Sequence, residues 1–188
     1  MATPFLERAK RVTLKTVPVY VCIAILIYYA RPEVSWMIPG AVLILVGEWI
    51  RVWAAGHLRK TREVTTTGPY SFVKNPLYLG TLFILIGFCL MAKNLYLLGI
   101  GLLIFFAYYA PFKKKREGRR LFEYFGEAWS QYDKAVPDYF PSIRPYAGRG
   151  DRNWGWNAFI ENSEQWTFLA VVVGVVLITL RYYYLTAG

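Results

Sequence analysis

Five long apolar blocks alternate with polar connections along this chain. The first runs from about Thr16 to Ala30 and ends at Arg31-Pro32; the second runs from about Trp36 to Ala55, with Pro39 and Gly40 in its first turns. The third follows Pro76 and ends near Ala92, the fourth covers about Leu95 to Phe112, and the fifth about Trp166 to Leu185. These blocks are too long and too poor in charge to be amphipathic helices of a soluble core, so the pattern predicts an all-α, polytopic membrane bundle of about five transmembrane helices. Lys93-Asn94 alone separates the third and fourth blocks, which makes those two helices an antiparallel hairpin. Several blocks hold only about 15 to 18 residues, enough to cross a thin hydrocarbon layer with little tilt.

Between Lys113 and Lys134 the chain is polar but periodic. Glu117, Leu121, Tyr124, Phe125, Ala128, Trp129 and Tyr132 fall near one face at helical spacing, which predicts a helix continuing out of the fourth block. Pro137, Pro141 and Pro145, with Gly148 and Gly150, then break any long helix. The stretch from Trp154 to Glu164, with Trp156 and Phe159, is composed to lie in the membrane interface before the fifth block.

Charge sharpens this picture. The formal net charge is +10, and of the 22 Lys and Arg, four precede the first block, four lie between Arg59 and Lys74, and ten between Lys113 and Arg152. The opposite connections hold only Arg31, Lys93 and Arg181, with Arg51 inside the second block. Such alternation follows the positive-inside rule, which places the N-terminus and both long loops in the cytoplasm and the C-terminus across the membrane. It also accounts for the charge without nucleic acid. The chain therefore divides into a single membrane domain over residues 1–188, with loops 56–80 and 113–145 as its cytoplasmic catalytic region and 165–186 as an additional C-terminal transmembrane helix. The basic start, interrupted by Pro4 and Glu7 and followed by no small-residue cleavage site, is expected to be a retained helix rather than a signal peptide. Cys22 and Cys89 sit inside apolar blocks without metal-ligand spacing, which makes them packing residues and predicts no metal site. His57, at the cytoplasmic end of the second block, is expected to take an interfacial or loop-packing role, and Glu48 and Arg51 to neutralise each other across one helical turn or face the bundle interior.

Candidate chemistry concentrates in two places. In Thr67-Gly68-Pro69-Tyr70-Ser71-Phe72-Val73-Lys74-Asn75-Pro76-Leu77-Tyr78-Leu79-Gly80, Asn75 is suited to cap a helix and Pro76 to open it, leaving unpaired backbone N–H groups at a positive helix end. Such an end seats a carboxylate or another anion, and equally it is ordinary capping. Lys113 and Glu117 lie four residues apart on one helix face; they read either as a functional pair at the membrane boundary or as an exposed ion pair among neighbouring cations.

Taken together these residues resemble the membrane methyltransferases of the isoprenylcysteine carboxyl methyltransferase and phospholipid methyltransferase superfamily. Those proteins carry Gly-x-Tyr, Arg-His-Pro-x-Tyr-x-Gly, a hydrophobic hairpin, Glu-Glu-x-x-Leu-x-x-x-Phe-Gly, a Tyr and a closing Pro. Here Gly68, Tyr70, Pro76, Tyr78 and Gly80 match the first part, and Glu117, Leu121, Phe125, Gly126, Tyr132, Pro137 and Pro141 the second, over roughly residues 47–145. The resemblance implies S-adenosylmethionine as cofactor, contacted by Arg62, Glu63, Val64 and Thr65, by Tyr70, by the Asn75-Pro76-Leu77-Tyr78 run and by Glu117. It puts Lys113 near the acceptor, with Lys113 and Glu117 as the catalytic pair. The implied acceptor is lipidic or prenylated, a carboxylate or an amine, reaching the site from the surrounding membrane lipids. Lining that acceptor's route is the alternative role for Glu48 and Arg51. The chain departs from the pattern at Lys74-Asn75 in place of Arg-His, at Gly118 in place of the second Glu, and at Lys113 in place of an Arg. A point charge replaces a bidentate fork at Lys113, and Asn75 cannot transfer a proton. Two other readings stand beside this one: an NADPH-dependent membrane reductase of the sterol reductase type, and a non-catalytic membrane protein that keeps the fold.

Overall fold

The computed structural model of the chain describes residues 21, 23–60 and 62–187, and of residues 108–110 and 113 the backbone only. Most of the first apolar block, Cys22 included, lies outside the described residues. Its described end is helical over 23–28. The described residues form an all-helical protein with no strand. Helix α1 spans Val34–His57, and a 3-10 turn at Gly68–Ser71 leads into α2, Pro76–Met91. Then come α3, Leu95–Ile104, a π-helical turn at Phe105–Tyr109, and α4, Ala110–Phe125. The chain ends with α5, Glu127–Ala135, the short α6, Trp156–Glu161, and α7, Glu164–Ala187.

Among the described residues two helices, α1 and α7, are long and apolar enough to cross a membrane, with 24 residues each and mean hydropathies of 1.5 and 2.0 over their best windows. At about 1.5 Å per residue such a helix exceeds the ~30 Å hydrocarbon core. The apolar helices α2 and α3 are shorter.

The α1–α2 contact organises the bundle, and glycine makes it possible. A Cβ on Gly40 would come within 2.6 Å of the Gly87 carbonyl oxygen, and one on Gly80 within 2.6 Å of the Gly47 oxygen. The antiparallel backbones therefore touch at two points seven residues apart on each helix, the close approach that small residues permit between membrane helices. Ile44, Ile84 and Met91 fill the seam, and Val171 and Ile178 of α7 complete the core. At its far end the Arg31 amide donates to the Ala92 carbonyl, and Lys93 pairs with Glu33. The outer faces keep large apolar side chains exposed, among them Leu45, Leu103, Ile104, Val173 and Leu180.

Two expectations need correction. The helix leaving the fourth block is not continuous to Lys134, because Gly126 adopts φ 53° and separates α4 from α5. That conformation suits glycine and ends the helix there. Nor does Arg51 pair with Glu48, although both side chains are turned into the bundle as the alternative expectation has it: Arg51 Nη2 donates to both carboxylate oxygens of Glu164 at 2.8 and 2.7 Å. One Glu48 oxygen is buried without a partner among the described residues.

The segment before α7 packs against the end of α1. Trp154 sits over Gly56 and donates from Nε1 to the Val52 carbonyl at 2.9 Å, while the Asn162 amide donates to the carbonyls of Ala55 and Leu58, both at 3.0 Å. The Asn162 amide thus satisfies carbonyls that α1 leaves unpaired at its end. His57 behaves as a loop-packing residue, its Nδ1 lying 3.0 Å from the Thr67 hydroxyl.

Candidate functional site

The site begins where α1 hands over to the 57–75 loop. Gly68 has φ +57°, and a Cβ there would lie 2.3 Å from the His57 ring, so glycine alone fits both the backbone angle and the space. The 3-10 turn that follows buries Tyr70, whose carbonyl accepts a 2.7 Å hydrogen bond from the Tyr132 hydroxyl. Two further backbone bonds hold the same loop: Ser142 N–H donates to the Phe72 carbonyl at 2.9 Å and Tyr146 N–H to that of Ser71 at 2.7 Å. Lys74 donates its amide to the Pro137 carbonyl and its buried ammonium to Asp133 and Asp138, at 2.7 and 2.9 Å. The proline-rich stretch after α5 thus forms a brace around the loop.

Asn75 precedes α2 and Pro76 opens it. The Asn75 side chain makes no capping bond and instead donates to the Asp138 carbonyl at 3.2 Å. The amides of Tyr78 and Leu79 both return to the Asn75 carbonyl, so this helix end offers fewer open N–H groups than the sequence alone implied.

Between the loop and the amphipathic α4 lies a cavity of about 350 Å3. That is within the range of small-molecule sites. One wall is Leu58 to Lys60, Glu63 to Thr65, Tyr70 and Lys74 to Tyr78; the other is Lys114, Glu117, Gly118, Arg120, Leu121, Tyr124 and Phe125, closed by Trp129, Tyr132, Asp133 and Asp138. The two walls meet where the Tyr78 hydroxyl reaches the Glu117 carboxylate, 2.7 and 2.8 Å from its oxygens. These residues are 39 apart in sequence.

Glu63, Val64, Thr65, Tyr70, Asn75, Pro76, Leu77, Tyr78 and Glu117, all singled out in the sequence, line this one cavity. Arg62 does not: it points away and approaches Glu161 at 3.7 Å. The Lys113 side chain falls outside the described ones. Sequence reasoning missed the contributions of Arg59, Lys60, Lys74, Lys114, Arg120, Asp133 and Asp138. Most of these cations stand in the long positive runs, where nothing local distinguishes a lining residue from a solvated one. The periodic face of 117–132 was the usable signal, since all of it except Ala128 lines the cavity.

The lining combines three chemistries. Tyr124, Phe125 and Trp129 offer aromatic faces; Arg59, Lys60 and Arg120 offer positive charge; Glu63 and Glu117 offer carboxylates, the former paired with Arg152. Burial pushes the Tyr70 hydroxyl strongly upward, with the neighbouring Tyr132 and Glu164 adding to the effect. Burial likewise raises that of Tyr132. Both stay neutral donors at physiological pH. The Tyr70 hydroxyl is buried with no hydrogen-bond partner among the described residues, and Tyr70 is one of the residues that line the cavity. A buried hydroxyl left unpaired is costly, so it marks a place where a ligand atom or a water belongs. At the floor, burial alone would raise the Asp138 carboxyl, but hydrogen bonds from Lys114 and Lys74 outweigh it and hold the group below the ordinary range. The same bond raises Lys114.

A family model for phospholipid methyltransferase matches residues 35–128, which contain both walls from Leu58 to Phe125. The chain belongs to the phospholipid methyltransferase family. Within the wider grouping that includes the isoprenylcysteine carboxyl methyltransferases, it is similar to the cobalt-zinc-cadmium resistance protein CzcN of Cupriavidus metallidurans. The two are 29% identical over 160 residues, 80% of this chain and 71% of that protein. It is also 32% identical over 106 residues to the nickel-cobalt-cadmium resistance protein NccN of Alcaligenes xylosoxydans xylosoxydans, a match covering 55% of this chain and 47% of that protein. The chain thus spans about half the length of this second relative. No solved structure matches it.

Proposed function

We propose that the chain is an S-adenosylmethionine-dependent methyltransferase that modifies a lipidic or prenylated acceptor, carboxylate or amine, at the cytoplasmic face of a membrane. The observation that carries the reading is the cavity itself, in which both halves of a long-range motif meet through the Tyr78–Glu117 hydrogen bond. The cofactor is a zwitterion with an aromatic base, hydroxyls and a sulfonium. The lining supplies aromatic faces, cations and the carboxylates of Glu63, Glu117, Asp133 and Asp138, so residues and group fit. Asn75, Pro76, Leu77 and Tyr78 would hold it from one side and Glu117 from the other, with Glu63, Val64 and Thr65 at the loop end.

When bound, this cofactor supplies an electrophilic methyl group that passes to an acceptor nucleophile by in-line displacement. The protein's task is then mostly to orient the partners and exclude water. Tyr78 fixes the Glu117 carboxylate by donating to it, which keeps that negative charge turned into the cavity. A carboxylate acceptor is already nucleophilic, with Lys113 as the proposed cation beside it. An amine must first shed a proton, to Glu117 or to water. The apolar outer faces support lateral entry of the acceptor from lipid. The alternation of basic and charge-poor loops is what supports five crossings with the N-terminus and cavity cytoplasmic and the C-terminus opposite. The relatives' names make metal-challenged cells a sensible setting in which to seek the activity.

Isothermal titration of the detergent-purified protein with S-adenosylmethionine, S-adenosylhomocysteine and NADPH tests the reading, together with transfer of a radiolabelled methyl group into the organic phase of a membrane extract. Binding of both sulfur compounds and label in the lipid fraction are expected. Binding of NADPH alone would move the chain to the reductase reading. Cofactor binding without any label would indicate a fold that has lost turnover.

A further inference from the structure

Arg51 is a charged residue six positions before the end of an apolar helix, and its side chain is only 13% exposed. Burying a guanidinium is costly unless its donors are satisfied, so the partners it finds reveal what it is for. Its two terminal nitrogens reach in different directions. Nη1 donates to the Thr81 hydroxyl at 2.6 Å and to the Leu77 carbonyl at 3.2 Å, both on α2. Nη2 donates to Glu164 at the start of α7, with the Thr167 hydroxyl at 3.5 Å. The Glu164 side chain is only 9% exposed. One planar fork therefore joins three helices, which a lysine ammonium on the same stem does not do.

The place of attachment on α2 matters. Leu77 and Tyr78 line the cavity; Arg51 and Glu164 do not. The fork therefore fastens the first turn of α2 from behind, at the carbonyl of one lining residue and one residue before the tyrosine that holds Glu117. The glycine of the motif makes this possible, because a Cβ on Gly80 would stand 2.5 Å from Arg51 Cγ. Gly80 thus clears the path of the arginine stem as well as the α1–α2 contact. Glu164 lies outside the family-matched residues 35–128.

We propose that Arg51, clasped by Glu164, is a positioning residue for the Leu77–Tyr78 wall, through which the C-terminal helix controls cofactor affinity at a site it does not line. The proposal rests on the methyltransferase reading above. Slackening either end of the fork lets the first turn of α2 shift, and the Tyr78 hydroxyl moves away from the position that orients Glu117. A displacement of that kind costs roughly tenfold or more in affinity for a ligand gripped between the two walls.

The test is titration of S-adenosylmethionine into the full chain and three variants, with the melting temperature of each measured without ligand. Thr81→Val removes the closer of the two acceptors on α2 at almost constant volume and leaves only the 3.2 Å contact to the Leu77 carbonyl, Thr81→Ser restores a hydroxyl, and Glu164→Gln removes the charge that clasps the fork. The expected result is roughly tenfold weaker binding for Thr81→Val and Glu164→Gln, wild-type binding for Thr81→Ser, and nearly unchanged ligand-free melting for both threonine variants. Wild-type affinity in Thr81→Val and Glu164→Gln would overturn the proposal. So would a Thr81→Ser variant as weak as Thr81→Val, or affinity losses that merely track lost stability. If the wild-type chain itself binds no S-adenosylmethionine, the methyltransferase reading falls first, and that outcome is distinct from variants that bind as well as the wild type.

Discussion

The two walls of the cavity are built differently. The loop wall, from Glu63 to Tyr78, is tied from behind at many points: Tyr132 to the Tyr70 carbonyl, Ser142 and Tyr146 to the carbonyls of Phe72 and Ser71, and Lys74 to Asp133 and Asp138. The opposite wall, α4, is amphipathic, keeps Phe122 and Tyr124 exposed, and crosses to the loop side through Tyr78–Glu117 and Lys114–Asp138. The difference teaches how stability and recognition divide. Ties behind the loop wall hold the protein together, whereas on the proposed function the cavity-facing residues of α4 serve mainly to grip the ligand.

Variants on the two walls should separate accordingly. The largest effect is expected from Glu117→Ala, with cofactor affinity about a hundredfold weaker, ~2.7 kcal/mol, and a ligand-free Tm within about 2 °C of wild type. Calorimetric titration paired with a thermal melt reads both. On the other wall the order reverses. Lys74→Ala leaves two carboxylates without their shared buried cation and should destabilise by about 2 kcal/mol, and Tyr132→Phe should cost about 1 kcal/mol. Denaturant titration in detergent measures these, and equal stability of Lys74→Ala and wild type would break the comparison.

A weaker effect is expected from pH. The Asp138 carboxyl is held below the ordinary aspartate range, so its stabilising contribution is complete above that range and is lost as the pH falls through the depressed value. Raised Lys114 has the opposite dependence: its contribution is present below the ordinary lysine range and disappears as the pH rises through the elevated value. Melting curves taken across the acid range should therefore lose a step in Asp138→Asn, and an unchanged acid limb would contradict the role given to this carboxylate.

The smallest effect concerns the departures from the family pattern. A Cβ on Gly118 meets no atom within 4 Å, so Gly118→Glu should fold, gain about 0.5 to 1 kcal/mol from helix propensity, and bind cofactor within about threefold of wild type. Circular dichroism and titration together decide this.

Much of this division was legible in the chain. Blocks two, three and five gave the helices to within a few residues, because apolar runs bounded by proline, asparagine and charge carry that signal locally. The face from Glu117 to Tyr132 was visible from its period, although the break at Gly126 was not, since a glycine inside a helical pattern is tolerated as often as it terminates. What escaped were contacts between distant residues. Arg51 has an acidic neighbour one turn away in Glu48, and only the folded bundle brings Glu164 to it from 113 residues further on. The brace of Lys74, Asp133 and Asp138 was hidden in the same way, because a lysine in a basic loop carries no mark of burial.

The central claim is that Tyr78 and Glu117 act on one bound ligand. A double-mutant cycle measures it: equilibrium binding of S-adenosylmethionine to the wild-type chain, Tyr78→Phe, Glu117→Ala and the double variant. The account predicts that the double variant binds scarcely more weakly than Glu117→Ala alone, a coupling of at least about 1 kcal/mol. Strictly additive losses would contradict it, because the two walls would then be acting independently.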